Sequence, residues 1–326
     1  MQIQNRRPKI GIALSGGAGR AIGHIAVLDV LRENNIPIDI IVGCSSGALV
    51  AVSYAAGTLD YLRNIFTTLT AKQIWSLWSI RGARGGLFHL HKVDPIFKKL
   101  TRELNFEELP IKVGVTAADI ESGQLATLTR GDIIQGLKAS VAIPGLFEPV
   151  VINNRILLEG GLINIVPTLP TKQLGADIVI GVNVAISKFF YQKKMPIFRL
   201  IRSLRRAMGI DYVQHEIINP ISSQIIDQVE KQFGVKKRRV PNAFRIFAWA
   251  VDHSYNIEEE WNEEKQSCDI MIEPPVKEYG KVGLKRAELI YDECRKSAIA
   301  ALPQIKKIIE EYQSAQQPVQ ERVIND

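Results

Sequence analysis

One serine of the chain lies in a pattern that is typical of catalytic nucleophiles. Ser45 is the centre of a G-C-S-S-G run, which follows an apolar stretch at residues 36–41 and precedes a stretch of small residues at 48–56. A G-x-S-x-G pattern between a strand and a helix forms a sharp turn that exposes the serine hydroxyl, with the positive end of the helix behind it. Gly43 and Gly47 leave room for that turn because they carry no side chain. The sequence therefore predicts a nucleophilic serine in a strand-turn-helix unit, rather than an ordinary Gly/Ser turn.

A glycine-rich loop near the start of the chain could bind an anion beside this serine. Residues 9–14 read as a buried strand, 15–20 as an S-G-G-A-G-R loop, and 21–32 as a helix. The loop lacks both the G-x-G-x-x-G spacing of a dinucleotide site and the Gly-Lys-Ser/Thr end of a P-loop. Consecutive parallel strands usually lie side by side, which would bring the loop next to Ser45. Backbone N–H groups of such a loop can stabilise an oxyanion, and the sequence favours that role.

These two segments and two later ones resemble the patatin-like phospholipases. The family pattern is a G-G-G-x-R/K-G loop, then G-x-S-x-G, then D-G-G/A. Residues 139–149 (A-S-V-A-I-P-G-L-F-E-P) and 174–184 (L-G-A-D-I-V-I-G-V-N-V) are similar to further segments of the family. The resemblance covers about residues 8–185 and returns weakly near 268–295. It implies an α/β fold and the hydrolysis of acyl esters.

The acidic residue of the family's Ser–Asp pair is different in this chain. The D-G-G/A segment is replaced by Glu159-Gly160-Gly161, so the carboxylate lies one bond, about 1.5 Å, further from the backbone. A misplacement near 1 Å in a catalytic group can lower a rate on the order of a hundredfold. Two interpretations stay open. Either Glu159 is the base of a slow or retuned hydrolase, or the site is catalytically dead and the fold serves lipid or protein binding.

The glycine loop also departs from the family pattern. Ala18 replaces the third glycine, and Ala21 replaces the glycine after the basic residue. A negative φ at Ala18 would preserve hydrogen-bond donation, whereas a positive φ would require the loop to shift. Arg20 matches the basic residue, which in the family is thought to steady the loop, and a solvated arginine at a helix start is an equal alternative.

The resemblance implies a serine acyl hydrolase that cleaves phospholipid or lysophospholipid esters. In the expected mechanism Glu159 takes the proton of Ser45, the serine oxygen attacks the ester carbonyl, and water hydrolyses the acyl-enzyme. An acyltransferase would share this intermediate and differ in its acceptor. The expected oxyanion donors are Gly16, Gly17 and Ala18, and the expected supporting residues are Gly19, Arg20, Gly43, Gly47, Gly160 and Gly161.

The histidines do not complete a conventional triad or a metal site. His24 lies on an apolar helical stretch, which indicates a hydrogen-bonded packing residue. His89 and His91 are spaced as on one strand face, but no Cys or carboxylate cluster completes a ligand set. We therefore expect no metal and no other cofactor.

The net charge of +7 is concentrated in part of the chain. The segment Lys188–Met208 carries seven basic residues, several aromatic and aliphatic ones, and no acidic residue. This mixture suits an anionic membrane surface. No helix-turn-helix, RNP or zinc pattern supports nucleic-acid binding. A helix with a solvated basic face is an equal alternative.

Length and pattern predict one large α/β core with added segments. The 326 residues alternate strand-like and helical stretches, which indicates a three-layer fold around a largely parallel sheet. Three cysteines without C-x-x-C spacing, and a polar N-terminus without a signal peptide, favour a cytoplasmic location, with peripheral membrane contact as an alternative. Nothing in the sequence indicates an oligomeric state. The expected divisions are a patatin-like core at 8–185, an inserted helical cap or docking segment at 186–267, a C-terminal return at 268–312 and a flexible tail at 313–326.

Overall fold

The computed structural model of the chain describes most of the expected core. It covers residues 6–68, 79–80, 86–185, 267–276, 279 and 286–315. The predicted cap at 186–267 lies outside the described residues except for its last position, and the basic segment Lys188–Met208 lies wholly outside them.

A mixed sheet forms the centre of the described part of the chain. The strands are β1 (Ile10–Leu14), β2 (Ile40–Cys44), β3 (Ser79–Ile80), β4 (Gly86–His89), β5 (Lys112–Asp119), β6 (Leu125–Leu128), β7 (Gly145–Phe147), β8 (Val150–Ile152), β9 (Arg155–Glu159), β10 (Ile178–Val182) and β11 (Ile270–Ile272). The central sheet has the order β11-β10-β1-β2-β5-β9-β8, with β6 also paired to β5, and β3, β4 and β7 form a second, smaller sheet. The five strands from β11 to β5 run parallel, whereas β6, β8 and β9 join antiparallel. The predicted α/β fold with a largely parallel central sheet is confirmed.

Helices cover both faces of this sheet. They are α1 (Ile22–Glu33), α2 (Ser46–Ala55), α3 (Leu59–Thr68), α4 (Asp94–Thr101), α5 (Ile133–Ser140), α6 (Thr168–Gln173) and α7 (Ala287–Ala315). Because strand side chains alternate between faces, Ile41 joins the large core with α1, α2 and α7, whereas Ile40 and Val42 join a smaller core on the opposite face. Leu174 and Ala176, which follow α6, pack in that smaller core. The result is the predicted three-layer arrangement.

The last described helix differs from its prediction. Helix α7 runs through Pro303 without a break and ends at Ala315, three residues into the predicted tail. Proline removes one backbone hydrogen bond of the helix. Leu302 and Ile305 stay buried in the core on either side of it, so tertiary packing holds the helix together at this point.

Helix α7 packs along α1, the first helix of the chain. A Cβ at Gly23 would overlap the Sγ of Cys294, so the two helices approach closely there. The Tyr291 hydroxyl donates to the buried Asp29 carboxylate at 2.7 Å. Among the described residues, no helix is both long enough and apolar enough to pass through a bilayer.

Candidate active site

Ser45 lies at a sharp turn between β2 and α2. Its backbone has φ 52° and ψ −121°, a conformation that a residue with a side chain rarely adopts. A Cβ at Gly43 would lie 2.5 Å from the Cα of Ala48, and one at Gly47 would lie 2.6 Å from the Leu14 carbonyl oxygen. Both glycines are therefore required by the close approach of strand, turn and helix.

The glycine loop lies directly beside this turn, as the sequence predicts. Strands β1 and β2 are parallel neighbours, and a Cβ at Gly16 would come 3.4 Å from the Cβ of Ser45. The N–H of Gly16 donates to the carbonyl of Ile165 at 3.2 Å. The N–H of Gly17 donates to the Oγ of Ser46 at 3.0 Å. Two of the three N–H groups predicted to stabilise an oxyanion therefore have protein acceptors in this structure.

Ala18 and Arg20 show how the altered loop is held. Ala18 has φ 51°, so the alanine itself adopts the left-handed conformation that the sequence predicts an alanine to avoid by a shift of the loop. This conformation costs an alanine roughly 1–2 kcal/mol. Arg20 is only 3% exposed, and its Nε donates to the carbonyl of Val184 at 2.7 Å. The Arg20 side chain thus lies inside the protein, and its hydrogen bond connects the end of the glycine loop to the segment that follows β10.

Glu159 is the last residue of β9, and β5 lies between it and the Ser45 strand. Cys44 is in register with Thr116, and the next residue, Ala117, is in register with Glu159. The two candidate residues therefore lie at the same level of the sheet, two strand spacings of about 4.8 Å apart. A glutamate side chain that projects toward Ser45 can bridge much of that distance.

The surroundings of Glu159 change the chemistry of its carboxyl group. Burial, which disfavours the charged form, raises the pKa of Glu159 to about 7. A hydrogen bond from the Ser45 side chain acts in the opposite direction and lowers that pKa. A carboxyl group with this pKa can exchange protons near neutral pH, and its partner is the candidate nucleophile.

The two glycines after Glu159 differ in their steric role. A Cβ at Gly160 would lie 2.7 Å from the Thr116 carbonyl oxygen, so the close approach to β5 requires glycine there. A Cβ at Gly161 would lie 3.7 Å from the Cys44 Sγ, which is an ordinary contact. The structure therefore requires glycine at position 160, whereas position 161 has room for a small side chain.

Ser140 is a site residue that sequence reasoning missed. Its Oγ accepts a hydrogen bond from the backbone N–H of Ser45 at 2.8 Å, and its side chain is fully buried. The surrounding A-S-V-A-I-P segment stands out in the sequence only through its family resemblance. Ser140 is 95 residues from Ser45 in the sequence, so spacing gives no sign that the two are in contact.

His24 is a packing residue, as the sequence predicts. It is fully buried on α1, and its Nε2 lies 2.8 Å from the Ser15 carbonyl oxygen. Burial lowers the pKa of His24 to about 4, so the imidazole is neutral at physiological pH. The histidine supports the residue that opens the glycine loop. Within the described part of the chain, no three His, Cys, Asp or Glu side chains are grouped closely enough to bind a metal ion.

Comparison with known proteins relates the region that carries this site to one family. A family model described as "Patatin-like phospholipase" matches residues 12–172. An uncharacterised NTE family protein of Mycobacterium bovis is 31% identical over 177 residues, which are 54% of this chain and 49% of that protein. A lysophospholipase of Kluyveromyces lactis is 27% identical over 190 residues, which are 54% of this chain and 12% of that protein. The chain thus matches about half the length of the bacterial relative and about an eighth of the yeast relative. Among solved structures, VipD of Legionella pneumophila aligns with 90% of this chain and 67% of its own, at 15% identity and a TM-score of 0.40.

Proposed function

We propose, because residues 12–172 are a domain of the patatin-like phospholipase family, that this protein hydrolyses lipid acyl esters with Ser45 as nucleophile and Glu159 as base. One observation carries the proposal. The carboxyl of Glu159, whose pKa burial raises to about 7, interacts with the side chain of Ser45, and its backbone lies level with Ser45 two strands away. Family membership supports the lipid ester as substrate class, and the lysophospholipase relative supports phospholipids and lysophospholipids within it.

The reaction begins with proton transfer from the Ser45 hydroxyl to the Glu159 carboxylate. The freed electron pair of the serine oxygen forms a bond to the ester carbonyl carbon, and the carbonyl π electrons move onto its oxygen. When the oxyanion collapses, the ester C–O bond breaks and Glu159 returns its proton to the departing alcohol. Water then attacks the acyl-enzyme by the same route and releases the fatty acid. A base whose pKa lies near the working pH is best suited to both steps.

The strained turn at Ser45 supports the role of a nucleophile elbow. Its φ of 52° is held by contacts that require Gly43 and Gly47, so the serine is fixed before substrate arrives. The N-terminus of α2 lies directly behind it and favours developing negative charge. Preorganisation of this kind avoids rearrangement during the reaction.

We infer that the oxyanion hole is formed from the N–H groups of Gly17 and Ala18, because the N–H of Gly16, the third expected donor, is held by the backbone carbonyl of Ile165. The acceptor of the Gly17 N–H in this structure is the Oγ of Ser46, a side chain that can rotate away. When the oxyanion forms, we expect its full charge to replace this neutral hydroxyl as acceptor, because charge-assisted hydrogen bonds are roughly twice as strong.

The longer side chain of Glu159 compensates for the position of its backbone. The N–H of Glu159 is hydrogen-bonded to the Ala142 carbonyl at 3.0 Å, which holds the end of β9 in place. Since the glutamate interacts with Ser45 from this position, an aspartate on the same backbone would retract its carboxylate by about 1.5 Å. We expect Glu159→Asp to lower kcat on the order of a hundredfold.

Hydrolysis of short- and long-chain acyl esters tests the proposal, together with labelling by a fluorophosphonate that reacts with activated serines. The wild type should hydrolyse the esters with a rate that rises with pH and levels off above about 7, since the base must be ionised. Ser45→Ala and Glu159→Gln should abolish hydrolysis, and Ser45→Ala should also abolish labelling. Ser53→Ala, which removes a buried hydroxyl further along α2, is the matched control and should keep full activity.

Two outcomes would contradict the proposal. A wild type that neither hydrolyses esters nor becomes labelled would indicate a binding module with a silenced site. Activity that increases in Glu159→Asp would show that glutamate impairs this site instead of being accommodated by it.

A further inference from the structure

The C-terminal end of α5 contacts the backbone of both proposed catalytic residues. The Oγ of Ser140, the last residue of α5, accepts the N–H of Ser45 at 2.8 Å. Two residues later, the carbonyl of Ala142 accepts the N–H of Glu159 at 3.0 Å. A segment of three residues thus binds the nucleophile on one side and the carboxylate-bearing residue on the other.

Neither N–H group is bound by the regular structure around it. Ser45 stands between β2 and α2 with φ 52°, outside the sheet ladder and before the first turn of the helix. Glu159 extends beyond β8, whose pairing with β9 ends at Leu157. A buried backbone donor without an acceptor is costly, so each of these N–H groups needs the partner that the α5 segment supplies.

The α5 segment is itself firmly held. Asp132 caps the start of the helix, where its side chain accepts the N–H of Ile134 at 2.7 Å. Ile133, Leu137 and Ala139 are fully buried. Since the helix is capped and packed into the core, its last residues form a rigid support for whatever they bind.

We propose that Ser140 is a positioning residue for the nucleophile, and that residues 140–142 form a clamp that fixes the separation of Ser45 and Glu159. The inference rests on the proposed function, since the clamp sets the geometry of that Ser–Glu pair. Through the Ser45 N–H, the Ser140 hydroxyl holds the strained turn in the orientation that points the serine side chain at Glu159. Through the Ala142 carbonyl, the same segment holds β9 at the distance that a glutamate spans.

A pair of variants with matched shape separates this role from simple packing. Ser140→Thr keeps the hydroxyl, and Ser140→Val has the same shape without it. In the full-length protein we expect Ser140→Thr to keep kcat within about threefold, and Ser140→Val to lower kcat on the order of a hundredfold with KM nearly unchanged, because a misplacement near 1 Å has this effect. Should the added methyl group prevent folding in both variants, Ser140→Ala replaces the pair, with Ser53→Ala as the control for loss of a buried hydroxyl.

Hydrogen exchange followed by mass spectrometry tests the clamp without relying on activity. Peptides that contain Ser45 should exchange at least about tenfold faster in Ser140→Val than in Ser140→Thr, since local opening is no longer opposed by the hydrogen bond, whereas peptides that contain Glu159 keep the Ala142 carbonyl as acceptor and should exchange alike in the two variants. Equal exchange of the Ser45 peptides in the two variants, at the wild-type rate, would overturn the clamp. Equal kcat values in an active enzyme would overturn the positioning role and leave the proposed function intact. If the wild type shows neither hydrolysis nor fluorophosphonate labelling, Ser140→Val can still exchange faster than Ser140→Thr. That combination would support the clamp and refute the proposed function.

Discussion

The buried carboxyl of Glu159 makes the stability of this protein depend on pH in a way that one substitution removes. The pKa of the group is raised from its ordinary value of 4.5 to about 7 in the folded chain. Below pH 4.5 the folded and unfolded chains both hold the proton, and the wild type has its full stability from this group. As the pH rises towards 7, the unfolded chain releases the proton first, so folding becomes less favourable; above 7 the loss is complete.

The size of the effect follows from the two pKa values. The two pKa values, 4.5 and about 7, differ by about 2.5, and at about 1.4 kcal/mol for each pKa unit the full effect amounts to ~3–4 kcal/mol, of which ~3 kcal/mol is present at pH 8. Glutamine has nearly the same shape and cannot ionise. We therefore expect Glu159→Gln to be ~3 kcal/mol more stable than the wild type at pH 8 and within ~0.5 kcal/mol of it at pH 4.5. For a chain of 326 residues this corresponds to a rise in Tm of about 5 °C at pH 8.

Urea unfolding of both proteins between pH 4.5 and 8.5 measures this difference. All other titrating groups are shared, so the difference between the two curves isolates Glu159. Glu310→Gln, which alters an exposed carboxylate on α7, is the control and should differ from wild type by no more than ~0.5 kcal/mol at any pH. A stability difference that is constant with pH, or a glutamine variant that is less stable at pH 8, would refute the reasoning that burial raises this pKa.

Three further predictions concern the loop, the turn and the histidine. Ala18→Gly should raise the free energy of unfolding by ~0.5–1 kcal/mol, because glycine adopts the positive φ without strain; an unchanged urea midpoint would argue against strain at this position. Gly47→Ala should lower stability by more than ~2 kcal/mol and abolish labelling of Ser45, since its Cβ would lie 2.6 Å from a backbone oxygen, whereas Gly161→Ala should be tolerated. His24→Phe should lower stability by ~1–3 kcal/mol, because the Ser15 carbonyl loses its partner, but the rise of activity up to pH 7 should persist. Loss of that pH dependence in the phenylalanine variant would indicate that the histidine is the base.

Much of the sheet could be predicted because its strands are short apolar runs bounded by turn residues. The runs at 9–14 and 36–41 overlap β1 and β2, and a similar run at 112–117 overlaps β5; all three strands are almost entirely buried. Buried parallel strands are recognisable from the sequence as continuous apolar stretches. The same pattern placed the glycine loop beside Ser45, because parallel neighbours end at the same edge of the sheet.

The parts that could not be predicted depend on contacts between distant residues. The partner of the Ser45 N–H is a side chain on α5, and no local pattern reveals that pairing. The positive φ of Ala18 runs against the preference of alanine and is imposed by the surrounding loop. Continuity of α7 through Pro303 likewise reflects burial on both sides of the proline, which outweighs its local preference.

The pairing of the first helix with the last described one has a consequence for synthesis on the ribosome. Asp29 on α1 and Tyr291 on α7 are in contact although 262 residues separate them in the chain. At about 5–20 residues per second, translation needs roughly 13–50 seconds to make that intervening length. During this interval the face of α1 that packs on α7 has no permanent partner and is open to chaperones or to aggregation. Synonymous changes that slow translation before residue 287 should therefore reduce the yield of folded protein without altering its final stability.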